Sequence, residues 1–152
     1  MAAKSAGILV YRKRAEAMEV LLVHPGGPFW ARRDAGAWSI PKGEYSDDED
    51  SQAAARREFT EETGWTIESE LRPLGEIRQK AGKAVTAFAS EGDFDPASLD
   101  SNRFEMEWPP KSGRRASFPE VDRAGWFSLD EAREKMIEGQ RPLLDRLIVL
   151  IG

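Results

Sequence analysis

Glu58, Glu61 and Glu62 stand at a spacing that could do chemistry. On a helix at 100° per residue they fall within one arc of about 100°, so three carboxylates share a face. Like charges three and four residues apart disfavour an isolated helix by roughly 0.2–0.5 kcal/mol per pair, so the arrangement calls for a compensating cation. Hard oxygen donors grouped this way suit Mg2+, or Mn2+, which take carboxylates, water and substrate phosphates as ligands. The plain alternative is a solvated acidic helix face, the usual meaning of a glutamate run. Other chemistries find little footing. His24 is the only histidine and cysteine is absent, which argues against a Ser/His/Asp triad and excludes thiolate and multi-histidine sites. Gly82-Lys83 is not a phosphate-binding P-loop, because position 77 is Ile and Ala84 has no hydroxyl for Mg2+.

The elements that must position these acids can be read from pattern. The segment 47–63 predicts a helix: Asp47 or Asp48 caps it, acidic residues crowd its first turn, Ala53 to Ala55 propagate it, and Gly64 sits at its C-terminal cap. Before it, Gly7 to Lys13 and Met18 to His24 predict two neighbouring strands, and Pro25 to Gly36 a long surface loop. Ala37 to Pro41 predicts a short strand, with Lys42-Gly43-Glu44 turning the chain away from it. Leu71 to Gln79 and Ala84 to Ser90 predict strands around an Ala81-Gly82 turn, and the alternation of Phe104 to Trp108 a half-buried strand. Asp93 to Arg103 and Pro109 to Pro119 read as loops. After the apolar Ala124 to Phe127, Ser128 and Glu131 form a capping-box signal for a helix to about Ile137, and Pro142 to Ile151 predicts a last amphipathic helix. Strands with helices between and after them predict an α/β fold, a mixed sheet covered on both faces.

With 152 residues the chain fits one domain of ordinary size, 1–152. Its first apolar run, Gly7 to Tyr11, is too short for a signal peptide or membrane span, so a soluble, cytoplasmic protein is expected. A formal net charge of −5 argues against a bulk grip on nucleic acid, although a nucleotide-sized anion neutralised by metal still fits. The expected partner is therefore a small nucleotide, and a homodimer stays open.

Nine positions extend the acidic helix into a pattern. Gly43, Glu49, Arg57, Glu58, Phe59, Glu61, Glu62, Gly64 and Trp65 follow Gly, five residues, Glu, seven residues, Arg-Glu, an apolar residue, any residue, Glu-Glu, any residue, Gly and an apolar residue. At average residue frequencies a chance match in a chain of this length has odds below roughly one in a million. The sequence resembles the Nudix hydrolase family through this complete Nudix box. The resemblance implies an α/β/α sandwich with a central mixed sheet, and hydrolysis of a nucleoside diphosphate linked to another group. Water would attack phosphorus, with Mg2+ (or Mn2+) neutralising the phosphate oxygens. It further implies Glu58, Glu61 and Glu62 as metal ligands, joined by the backbone carbonyl of Lys42, with Glu58 and Glu61 also candidates for the catalytic group. Gly43, Gly64 and a Glu49–Arg57 salt bridge orienting the helix are its structural residues.

Outside the box, Glu120 lies in Phe118-Pro119-Glu120 shortly before Trp126. This is similar to Nudix branches in which such a glutamate supplies an extra ligand or general base. Lys42, in Pro41-Lys42-Gly43, resembles the entrance of dinucleoside polyphosphate hydrolases, where a lysine meets phosphate as a point charge. Glu44 departs from the histidine or glycine that many of those relatives carry. The favoured substrate is accordingly a dinucleoside polyphosphate, with nucleoside triphosphates, nucleotide sugars or a non-catalytic nucleotide sensor as alternatives. Arg32, Arg33, Lys111, Arg114 and Arg115 fall in two predicted loops that could clamp a polyphosphate. Trp30 and Phe29 could stack on a base, whereas Trp38 reads as packing and His24 as a satisfied structural residue.

Overall fold

The computed structural model describes residues 4–15, 17–79 and 82–151. In chain order the elements are β1 (Lys4–Arg14), β2 (Ala17–Pro25), β3 (Lys42–Glu44), α1 (Ser51–Thr63), β4 (Arg72–Arg78), β5 (Ala84–Glu91), β6 (Arg103–Glu107), β7 (Arg115–Pro119), β8 (Val121–Ser128), α2 (Leu129–Lys135) and α3 (Pro142–Ile151). The main sheet runs β4-β5-β1-β2-β8, with β3 added to β1. Only the β1–β5 pair is parallel, in register Lys4↔Ala84 to Tyr11↔Glu91, so the sheet is mixed. Strands β6 and β7 form a separate antiparallel hairpin.

Strand β1 is apolar on both faces because both are covered. Ala6, Ile8 and Val10 pack with Leu21 and Phe88 against Ala54, Ala55 and Phe59 of α1. Leu9 and Tyr11 pack the other way, with Val20, Leu22 and Leu143, Leu144 and Leu147 of α3. Each such leucine stabilises the fold by about 1.5–3 kcal/mol on full burial. Among the described residues, no helix is long and apolar enough to cross a membrane.

Several boundaries differ from the sequence expectation. The cap of α1 is Asp50, whose carboxylate accepts the Ala53 N–H at 3.1 Å, and its first turn holds no acid. Asp47 instead pairs with Lys4. Lys42-Gly43-Glu44 does not turn away but forms β3, since the first half of β1 has an open edge there. Trp38 and Ser39 make only isolated bridges, to Met136 and Val23. The presumed loop 109–119 is loop only to Arg114, after which β7 pairs with β6. Of the expected Ala81-Gly82 turn, Ala81 lies outside the described residues. The capping box at Ser128 is present, and Gly64 caps α1 in the left-handed conformation (φ 80°), its N–H donating to Thr60 O at 2.8 Å.

Candidate active site

Helix α1 buries Ala54, Ala55, Glu58, Phe59 and Thr63, one stripe at helical spacing. Glu58 therefore sits on the sheet-facing side among apolar residues, 8% exposed, and Glu62, one turn on, is half-buried. The carboxylates are steered by β3. An added Cβ at Gly43 would stand 1.9 Å from Glu58 Oε2, so glycine leaves the room that the carboxylate fills. The Lys42 N–H donates to Glu62 Oε1 at 3.1 Å. Gly7 likewise lets this segment lie against β1, since a Cβ there would meet Lys42 Cβ and Pro41 O at 2.7 Å.

Arg57 grips both carboxylate oxygens of Glu49 at 2.8 Å, and its third nitrogen donates to Glu58 Oε1 at 2.7 Å and Glu61 Oε2 at 3.1 Å. It thereby ties the loop before α1 to two of the acids. Trp65 closes the box by stacking on Phe94 at 5.0 Å and leaning on Phe59.

Glu120 reaches the same place from the β7–β8 junction. Its N–H donates to Asn102 O, the Asn102 N–H donates to Glu61 O of α1, and Glu120 O accepts the Gly26 N–H. Three backbone bonds thus fix a loop acid relative to the helix. Lys42, Glu58, Glu61, Glu62, Glu120 and Lys83 line one polar basin. Lys42, Glu62 and Glu120 also line an adjoining apolar cleft of about 180 Å3, together with Val23, Pro25, Trp30 and Ile137.

The electrostatics of the basin follow from burial. Desolvation pushes the Glu62 carboxyl up to about 8; the Lys42 N–H and ammonium oppose this, and Glu120 and Glu58 add to it by repulsion. Burial also raises Glu58, against its bond to Arg57, and lowers the Lys42 ammonium. Glu49, hydrogen-bonded to Arg57, is held below its ordinary value.

The donor set suits a hard divalent cation: carboxylate oxygens at an open basin, two of them reluctant to ionise without a positive neighbour. The buried Ser5 hydroxyl, without a hydrogen-bond partner, lines the same basin. Among the described residues no three acids form a ready-made cage, and Arg57 holds Glu58 and Glu61.

The structure brings Lys42, Trp30 and the four acids Glu58, Glu61, Glu62 and Glu120 around the basin and cleft. It does not bring Arg32, Lys111 or Arg114 there: Arg32 is exposed on the β2–β3 loop, and the other two sit at the exposed tip of the β6–β7 hairpin. Arg115 pairs with Glu105, and Phe29 packs edge-on against Trp108. Trp38 is core, its Nε1–H donating to Asp34, and His24 is fully buried between Asp122 and the Arg33 carbonyl. Lys83 was missed, because no local pattern marks it. It arrives through the parallel β1–β5 register, which sets Ala84 beside Lys4.

The fold and family of the protein are those of the pyrophosphohydrolase enzymes. Its family is shown directly: the NUDIX domain family matches residues 1–147, and the chain belongs to the Nudix family. Among solved structures it is similar to a C. elegans Ap4A hydrolase binary complex, at 23% identity and TM-score 0.67, covering 99% of this chain and 98% of that one. It is also similar to the NUDIX domain of Shewanella oneidensis NrtR complexed with ADP ribose, at 13% identity and TM-score 0.67, covering 100% and 90%. A MutT protein from Methanosarcina mazei Go1 follows, at 22% identity and TM-score 0.63, covering 98% and 94%. At these identities the likeness is one of fold. No curated protein matches the chain.

Proposed function

We propose that this chain hydrolyses a phosphate anhydride in a dinucleoside polyphosphate, in a Mg2+-dependent reaction. The observation that carries the reading is the junction of basin and cleft: Lys42, Glu62 and Glu120 line both. A substrate whose anhydride lies over the acids can therefore lay a nucleoside into the apolar cleft beside Trp30. Glu58, Glu61 and Glu62 would hold Mg2+, with the Lys42 carbonyl of β3 beside them. Bound there, the ion supplies charge neutralisation for phosphate oxygens and lowers the pKa of the attacking water. Lys42 meets a phosphate as a point charge, and Lys83 adds a second positive charge to the rim. Glu120 stands apart from α1 and is the candidate general base. Glu49 acts through Arg57, holding α1 in place.

The support for a dinucleoside polyphosphate over other capped diphosphates is the Pro41-Lys42-Gly43 entrance, beside the cleft that adjoins the acids. Incubating the protein with diadenosine tetraphosphate, nucleoside triphosphates and nucleotide sugars, with Mg2+ or with EDTA, and separating the products, tests it. The expected result is cleavage of the dinucleotide in Mg2+ alone. Cleavage of only a nucleotide sugar or triphosphate would reassign the substrate, and nucleotide binding without turnover would make the protein a sensor.

A further inference from the structure

Trp30 and Ile137 have a second side. Beyond them lies another depression, lined also by Arg33, Gln79, Gly139 and Arg141, to which none of the basin's glutamates contributes. Its polar groups are chiefly donors. Arg33 lies over the Trp30 ring at 5.6 Å. Arg141 is half-buried, and its Nε is buried without a hydrogen-bond partner. Among the described residues no carboxylate forms a salt bridge with either guanidinium; Glu138, exposed and also lining the depression, pairs with neither. The Gln79 carbonyl oxygen is taken by Gln140, which leaves its NH2 group as the donor it can offer. A partly desolvated guanidinium without an acceptor is a costly arrangement that an anion relieves, and Arg is suited to bidentate binding of phosphate.

We propose that this depression is a phosphomonoester subsite, in which Arg33 and Arg141 take a phosphate carried by the nucleoside at its 2′ or 3′ position. This rests on the reading above, in which the nucleoside lies in the apolar cleft with its 5′ anhydride over the acids. The cleft separates the two anions, so the second is not part of the scissile chain. A dinucleoside polyphosphate of ordinary nucleosides leaves the subsite unused, whereas a nucleotide anhydride bearing the extra phosphate engages both ends. Gln79 also bonds Gln140, whose Oε1 accepts the Ile40 N–H at 3.0 Å, so the subsite is joined to the segment that leads into Lys42.

Calorimetric titration of adenosine 3′,5′-bisphosphate, adenosine 2′,5′-bisphosphate and AMP tests this without turnover. One bisphosphate should bind the wild type about tenfold or more tightly than AMP, the scale of one added charge-assisted contact. Which one does so locates the phosphate on the ribose. Arg141→Gln and Arg33→Gln should each bring that ratio to within about twofold while leaving the AMP affinity unchanged. Arg33 is exposed, so its variant decides the matter even where Arg141→Gln fails to fold. Equal affinity for AMP and both bisphosphates overturns the proposal, as does a preference that survives both substitutions. A preference found in a protein that cleaves no anhydride leaves the subsite standing and removes the hydrolase reading instead.

Discussion

The Glu58 carboxylate fills the space into which a Cβ at Gly43 would project, with Oε2 1.9 Å from that position. The first glycine of the box is thus a steric partner of its central glutamate, and no unusual backbone angle is needed to explain it. Strand β3 and helix α1 are held at a separation that admits one carboxylate and no methyl group. That separation fixes where Glu58 can present its oxygens.

Gly43→Ala should accordingly displace Glu58 and lower kcat by about 10²-fold, the scale expected for a misplacement of about 1 Å in a catalytic group. Circular dichroism should show a folded protein, since the clash can be relieved by moving a side chain. A variant with wild-type kcat would show that the Glu58 position is immaterial to the reaction.

Glu62 gives a prediction with a sign. Its folded carboxyl titrates at about 8 against a reference of 4.5, so the folded state binds the proton more tightly than the unfolded chain. The associated stability is complete below the unfolded value and is lost as pH rises through about 8. In EDTA the Tm of the wild type should therefore fall over that window, whereas Glu62→Gln, which keeps an oxygen for the Lys42 N–H, should lack this component. One realised pKa unit is about 1.4 kcal/mol, or roughly 3–6 °C in a domain of this size. Glu62→Gln should also lose divalent-dependent turnover. A variant that melts below the wild type at pH 8 in EDTA contradicts the burial argument, and one that keeps its turnover contradicts the ligand role.

Much of this was legible because the box chemistry is local. Glu58, Glu61 and Glu62 lie on one helix, so spacing alone places them on one face. Other features are set by distant chain. Asp47, Asp48 and Asp50 offer the same capping chemistry, and only the turn entering α1 and the Lys4 pairing of Asp47 select Asp50. Strand β3 exists because β1 leaves half an edge free, which three residues of sequence cannot announce. The Pro109–Gly113 turn lent its loop character to Arg115–Pro119, which is a strand only through its pairing with β6. Lys83 and Arg141 enter through sheet register and the α2–α3 connection, whereas Arg32, Lys111 and Arg114 lie exposed on loops outside the basin and cleft.

Lys42 is placed to distinguish substrates by phosphate charge. Burial lowers its pKa, so its ammonium is poorly hydrated and gains from an anion at the basin. Lys42→Ala should raise KM for diadenosine tetraphosphate more than for a nucleotide sugar, because the former presents more phosphate charge. Equal changes in the two KM values would reduce Lys42 to a structural residue of β3.

Glu120 separates two tasks that α1 alone would have to share. Charge balance around a bound cation and removal of a proton from the attacking water compete for the same carboxylates, and Arg57 already engages Glu58 and Glu61. Glu120 comes from another loop, carries none of these bonds, and is fixed through Asn102 to the backbone of Glu61. As general base, its replacement in Glu120→Gln should lower kcat by roughly 10²–10⁴-fold with little change in KM. As a ligand, the same variant should regain part of its rate at raised Mg2+ or Mn2+. Among the described residues its hydrogen bonds are made by backbone atoms, so the Tm should not move. A kcat within about threefold of wild type, too small a change for lost acid–base catalysis, would return the base to α1. Glu61 would then be the first acid to test, since it is the more exposed of the two that Arg57 holds.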